Sequence, residues 1–158
     1  MSIAAGPGVG DAAPDFARPA ANGESIRLSD FRDRQHVVLY FYPRDHTAIC
    51  TAQACEFRDR YADFLAADAV VIGISGNSLP SHRHFAETHA LPFTLLSDAD
   101  GSLRALYGVT NWLRLIPQRV TFVIDKRGII LMVFSSLWQG PIHSRRALAM
   151  LRQFKAEG

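Results

Sequence analysis

The chain has 158 residues, 48% hydrophobic and 20% charged, with a formal net charge of +2. These values fit one globular domain with a buried core. Basic and acidic residues alternate without a Lys/Arg block, which argues against nucleic acid or an anionic membrane surface as partner, and no apolar run reaches the ~20 residues of a membrane span.

Residues 1–10, MSIAAGPGVG, lack the basic and apolar segments of a signal peptide, and their Gly/Pro/Ala content predicts poor order. From Asp15 to Leu28, two short strands are predicted around Asn22-Gly23, a hairpin-turn dipeptide. Ser29, ahead of Asp30 and Phe31, predicts a capped single turn of helix. Val37–Tyr42 (VVLYFY) reads as a buried strand, stopped by Pro43, which offers no ladder N–H. A polar loop, Arg44–Thr47, leads into a helix predicted over about residues 50–66. Its warrant is Ala54, Phe57, Tyr61, Phe64 and Leu65, which recur at three- and four-residue steps. Ala69–Ser75 is a second buried strand, followed by the turn Gly76-Asn77-Ser78. Pro80–His89 reads as a helix with Pro near its start.

Pro92–Leu96 is a short extended piece. Asp98–Gly101 is turn chemistry, and a short helix runs from there to Tyr107, ended by Gly108. Residues 109–118 (VTNWLRLIPQ) form an irregular apolar connection. Val120–Asp125 is a third buried strand, Lys126-Arg127-Gly128 a tight turn, and Ile129–Ser135 the returning strand. The last helix is predicted over about Ser144–Lys155, with Ala147, Leu148, Leu151 and Phe154 facing inward. Strands alternating with helices imply an α/β architecture: a mixed central sheet with helices on both faces, preceded by an N-terminal β-hairpin. No repeat or linker divides the chain, so residues 1–158 are expected to form a single domain.

Both cysteines, Cys50 and Cys55, lie where the first buried strand hands over to the following helix. Cys50 falls in the first helical turn, where free backbone N–H groups and the positive end of the dipole favour a negative charge. A thiol there should ionise more readily than a free one, which suits a nucleophile. On an intact helix the two cysteines would be ~7.5 Å apart along the axis and ~140° apart around it. A disulfide needs Cα atoms within about 7 Å and facing Cβ vectors. A bridge therefore requires the first turn or two to unwind, which suits a transient disulfide and not a structural one. Two other readings stay open at this level: buried inert cysteines, and a zinc site with His46, for which the ligand spacing is wrong. Cysteines without an export signal favour the cytoplasm and a redox or catalytic role. His36, His46, His82, His84, His89 and His143 read as surface residues, and His82 and His84 do not share a helix face.

Pro43-x3-Thr47-x2-Cys50 resembles the active-site signature of the peroxiredoxins. Cys55 followed by Phe57-Arg58-Asp59 is similar to their bacterioferritin-comigratory-protein, or PrxQ, branch. The likeness continues in Ala13-Pro14-Asp15-Phe16, Val37–Pro43, Val71–Ser75, Leu91–Asp98, Tyr107-Gly108-Val109 and Arg119–Asp125. It implies a thioredoxin-like fold, thiol peroxidase activity on hydrogen peroxide and organic hydroperoxides, and no bound cofactor. By the same resemblance Cys50 would be the peroxidatic cysteine, oxidised to a sulfenic acid, and Cys55 the resolving cysteine that condenses with it. A thioredoxin- or glutaredoxin-type reductant would then reopen the disulfide. Thr47 would hold the peroxide beside the sulfur. Arg119 would stabilise the thiolate and the charge on the departing oxygen, and Pro43 would shield the sulfur from water. A monomer is the expected state.

The chain departs from the family pattern at Ala48-Ile49, where members commonly carry Pro-Gly. Ile49, together with Trp112, Leu113, Leu115 and Ile116, is expected to form an apolar rim around Cys50. Such a rim would favour bulky organic hydroperoxides, or dock a reductant or a second copy; the alternative is that these side chains complete the core. Two competing functions use the same fold. A thiol–disulfide oxidoreductase would want a C-x-x-C pair and has no use for Thr47 and Arg119. A non-catalytic redox sensor would signal through Cys50 oxidation.

Overall fold

The computed structural model describes residues 6–109 and 119–157. A short hairpin comes first, β1 (Ala17–Pro19) paired antiparallel with β2 (Ser25–Arg27). A 3-10 turn over Leu28–Phe31 follows. Then come β3 (His36–Phe41), α1 (Ala48–Asp59), α2 (Tyr61–Ala66), β4 (Ala69–Ser75), α3 (Leu79–His89), β5 (Thr94–Ser97) and α4 (Ser102–Leu106). The chain closes with β6 (Val120–Ile124), β7 (Ile130–Ser135) and α5 (Ile142–Glu157). The expected mixed sheet is present, in the order β5-β4-β3-β6-β7. β3 pairs parallel with β4 and antiparallel with β6, and it lies in the middle.

That position explains the unbroken apolar run of β3, because a central strand is covered on both faces. Val38, Tyr40 and Tyr42 point to one side, against Ala54 and Phe57 of α1, Phe64 of α2, Phe85 of α3 and Leu148 and Leu151 of α5. Val37, Leu39 and Phe41 point to the other side, against Phe16, Leu28 and the α4 region through Leu103 and Tyr107. Gly10 N–H donates to the Ile130 carbonyl at 2.9 Å, so the residues before β1 are tied to β7.

The helix predicted over residues 50–66 is two helices. It begins at Ala48 and breaks at Arg60, whose backbone sits at φ −101° and ψ 5°. Phe64 is buried, but Leu65, expected on the inner stripe, is exposed. Periodicity reports which residues lie one turn apart; it is blind to a change of axis between turns. The 3-10 turn is also capped differently from expectation. Arg27, not Ser29, precedes it, and no side chain caps it.

Candidate active site

The sheet register builds the site. Phe41, the last residue of β3, pairs with Val120, the first of β6. Antiparallel pairing therefore delivers Arg119, one residue earlier, to the edge where β3 gives way to α1. Residues from opposite halves of the chain meet there.

Cys50 is 1% exposed and Arg119 2%. The Arg119 Nη1 donates to Cys50 Sγ at 3.4 Å. The same nitrogen donates to Gln53 Oε1, in a short contact, and Nε donates to the Leu137 carbonyl at 2.9 Å. A buried guanidinium needs partners for its fixed fork of donors. Among the described residues none of these partners is a carboxylate. Thr47 caps the N-terminus of α1 with extended backbone at φ −81° and ψ 155°, leaving Cys50 within the first turn. Free N–H groups at that end add positive potential beside the sulfur. No acidic residue lies in that turn to oppose it.

Gln53 is a site residue that sequence reasoning missed. It is 0% exposed, and its Nε2 has no hydrogen-bond partner among the described residues. Its signal was available: a polar residue on the inward stripe of α1, three residues after Cys50. Its orientation follows from Arg119, which needs an acceptor and so turns the amide oxygen toward itself.

Thr47 lies exposed at the mouth of the site, its hydroxyl donating to the Arg44 carbonyl at 3.0 Å. Pro43 is half-buried after β3. Cys55 is half-buried on the same intact helix as Cys50, and both are free thiols. Ile49 is half-buried and packs against Gly140, where a Cβ would fall 2.9 Å from Ile49 Cγ2 and 2.9 Å from its carbonyl oxygen. This close approach wedges the 136–141 loop against the first turn of α1. Trp112, with the rest of the expected apolar rim, lies outside the described residues. An exposed aromatic near the site instead is Trp138, 76% accessible and adjacent to Leu137.

The histidines need correction. His82 and His143 are fully buried and His36 and His89 are half-buried, whereas the sequence predicts surface positions for all four. The reason is that partners from distant segments satisfy both ring nitrogens in two of them. His82 Nδ1 lies 2.7 Å from Asp45 Oδ2 and its Nε2 2.9 Å from the Leu96 carbonyl. Tyr42 and Ser81 also donate to Asp45, at 2.6 and 2.9 Å. Burial alone would raise the Asp45 carboxyl, but the hydrogen bonds from His82, Tyr42 and Ser81 hold it below the usual carboxylate value. This cluster anchors the loop ahead of α1 to α3. Tyr40 lies beneath α1, stacked on Phe57 at 4.6 Å between centroids, and its hydroxyl has no partner among the described residues. Burial, then the proximity of Cys50, pushes its phenol well above the ordinary value. Among the described residues no group of three or more His, Cys, Asp or Glu side chains is placed to hold a metal.

Residues 9–133 match the AhpC/TSA family. The chain belongs to that family. It is 42% identical over 147 residues to the chloroplastic peroxiredoxin Q of Sedum lineare, covering 92% of this chain and 78% of that protein. In structure it is similar to peroxidoxin BcpB from Mycobacterium tuberculosis, with TM-score 0.86, 39% identity, and 92% and 97% of the two chains covered. It also matches the bacterioferritin comigratory protein of Xanthomonas campestris, with TM-score 0.80, 25% identity, and 88% and 91% coverage. The structures of that protein were described in connection with its alkyl peroxide reduction activity. The fold is accordingly the thioredoxin-like fold of the peroxiredoxins. The chain is an oxidoreductase of that kind, a thiol peroxidase.

Proposed function

We propose that the protein reduces hydrogen peroxide and organic hydroperoxides through a sulfenic acid on Cys50 and an intramolecular disulfide with Cys55. One observation carries this reading: a buried guanidinium whose described partners are neutral oxygens and one sulfur, with that sulfur at a helix N-terminus. A negative charge on Cys50 is what such surroundings stabilise. The thiolate attacks one peroxide oxygen and the O–O bond breaks. The departing oxygen leaves with the bonding pair as hydroxide or alkoxide and takes up a proton, while sulfur becomes the sulfenic acid. Arg119 offers its N–H groups to the oxygen that gains charge, and the Thr47 hydroxyl positions the substrate. Pro43 limits water at the sulfur. The alkyl peroxide chemistry of the Xanthomonas relative supports organic substrates, with half-buried Ile49 as the apolar contact at the lip.

The thiol of Cys55 then displaces water from the sulfenic acid to form the disulfide. Because both cysteines sit on intact α1, the first turns must unwind for this step. A thioredoxin- or glutaredoxin-type dithiol reduces the disulfide, and no other cofactor enters the cycle. We place this cycle in a monomer working in the reducing cytoplasm.

The test is stopped-flow mixing of reduced protein with one equivalent of hydrogen peroxide, followed by tryptophan fluorescence and by counting free thiols. Wild type is expected to lose both thiols in a fast reaction. Cys50→Ser should be silent, and Cys55→Ser should stop at a sulfenic acid. A Cys50→Ser variant that consumes peroxide as fast as wild type would overturn the assignment.

A further inference from the structure

His143 touches neither cysteine, yet it lies one hydrogen-bonded step behind the Arg119 clamp. It opens α5 and is 0% exposed. Its Nε2 lies 2.9 Å from the Ser136 carbonyl and its Nδ1 2.8 Å from the Thr121 hydroxyl. A carbonyl only accepts, so Nε2 carries the proton, and in the neutral ring Nδ1 is free to accept from the Thr121 hydroxyl. Phe134 packs edge-on at 4.7 Å, with the Arg146 guanidinium 4.7 Å over that ring. The other charge facing His143 is Arg119, from the start of β6. Burial, with the Arg119 charge adding to it, pushes the imidazole down to about 4.

What His143 holds is the strip that grips Arg119. Ser136 N–H donates to the Arg119 carbonyl at 3.2 Å, and the next carbonyl, that of Leu137, accepts from Arg119 Nε. The strip therefore fixes both the backbone of Arg119 and the direction of its side chain. Gln53 Oε1 accepts from the same Nη1 that reaches Cys50. We propose that His143 is a positioning residue for the chemistry at Cys50: its Nε2–H fixes the Ser136–Leu137 backbone so that the Leu137 carbonyl keeps the Arg119 guanidinium turned toward the sulfur. The proposal rests on the reading of Cys50 as the reacting thiol. Without that N–H, a part-buried carbonyl loses its donor and the strip relaxes. Arg119 Nε loses a fixed acceptor, and Nη1 no longer has a unique direction. Small misplacements of this kind slow a reaction steeply.

The discriminating pair is His143→Gln and His143→Asn. A glutamine amide N–H reaches the place of Nε2 and can still donate to Ser136. Asparagine reaches only the place of Nδ1, beside Thr121. Both variants are polar and alter the core similarly, so a general loss of stability weighs on them alike. Two readouts are taken from pH 5 to 9: the single-turnover rate with hydrogen peroxide, and alkylation of Cys50 by iodoacetamide in a Cys55→Ser background. His143→Asn is expected to slow both at neutral pH by about tenfold, as an Arg119 turned aside leaves less thiolate. The loss should recover at alkaline pH. His143→Gln should stay within about threefold of wild type. Equal rates and superimposable pH profiles for the two variants would overturn the positioning role, whether both are fast or both slow. A wild type whose Cys50 does not react with peroxide would instead sink the peroxidase reading, and the alkylation profiles would still report on the Arg119 clamp.

Discussion

His82 and His143 are buried to the same degree and each engages both ring nitrogens, yet their partners differ in kind. Around His82 the Asp45 carboxylate and the Tyr42 hydroxyl lie at Nδ1, and the Leu96 carbonyl accepts at Nε2. Around His143 one neighbour is a carbonyl and the other a hydroxyl that can donate, so a neutral ring completes the arrangement. For His143 burial is the largest cause of the neutral ring, and the Arg119 charge adds to it. One cluster pins the loop ahead of Cys50 through a buried carboxylate, and the other pins the loop behind Arg119 by neutral hydrogen bonds.

The sharpest way to break this comparison is His82→Leu. It strands the Asp45 carboxylate in the core, and we expect a loss of about 3–5 kcal/mol in urea denaturation. Replacing Asp45 and His82 together by apolar residues should cost less than the sum of the single losses, because no charge is left unpaired. An additive double variant would show that the two side chains do not form a pair.

The second test uses pH. His143 stays neutral in the fold down to about 4, while an unfolded histidine takes up a proton below its ordinary 6.5. The unfolded state therefore binds more protons in that window. Stability is fully present above pH 6.5 and declines as pH falls toward 4, by roughly 3 kcal/mol for a shift of this size. His36, lowered first by its own burial and then by Lys126, acts in the same direction. His143→Gln should flatten most of the slope of urea stability across this window. An unchanged slope in His143→Gln would mean that the ring is not held neutral.

Gly140→Ala probes the loop that His143 holds. Its methyl would press on Ile49, and overpacking of this kind costs about 1–3 kcal/mol. Because Ile49 precedes Cys50, we also expect slower peroxide reduction, read as kcat/KM. Normal activity together with lost stability would separate the loop from the site. The smallest effect is expected at Tyr40, whose buried hydroxyl has no partner among the described residues. Tyr40→Phe removes only that oxygen and should be neutral or stabilising by up to about 1 kcal/mol in thermal or urea unfolding. A loss larger than that would reveal a partner for the hydroxyl.

Much of this molecule was legible in advance. The apolar runs at Val37–Tyr42, Ala69–Ser75 and Val120–Asp125 became β3, β4 and β6, because a strand covered on both faces needs no polar positions. Asn22-Gly23 marked the hairpin, and the handover from strand to helix located Cys50. The break at Arg60 was not legible, since each turn keeps its local periodicity while the axis changes. Gln53 was overlooked because one polar residue on an apolar stripe has no periodic signature of its own.

What the sequence by itself determined is therefore the strands and most of the helices, the thiol at a helix start and the family likeness that named Arg119. Short-range geometry encodes these, for alternation and three- to four-residue steps are properties of neighbouring residues. Only the tertiary structure decided which polar groups are buried together. Arg119 is 69 positions from Cys50 and His82 is 37 from Asp45, and each pair is joined by elements that the sheet brings side by side. A buried polar side chain is stable only with its partner, and here the partner comes from another part of the chain, so nothing in the local sequence announces it.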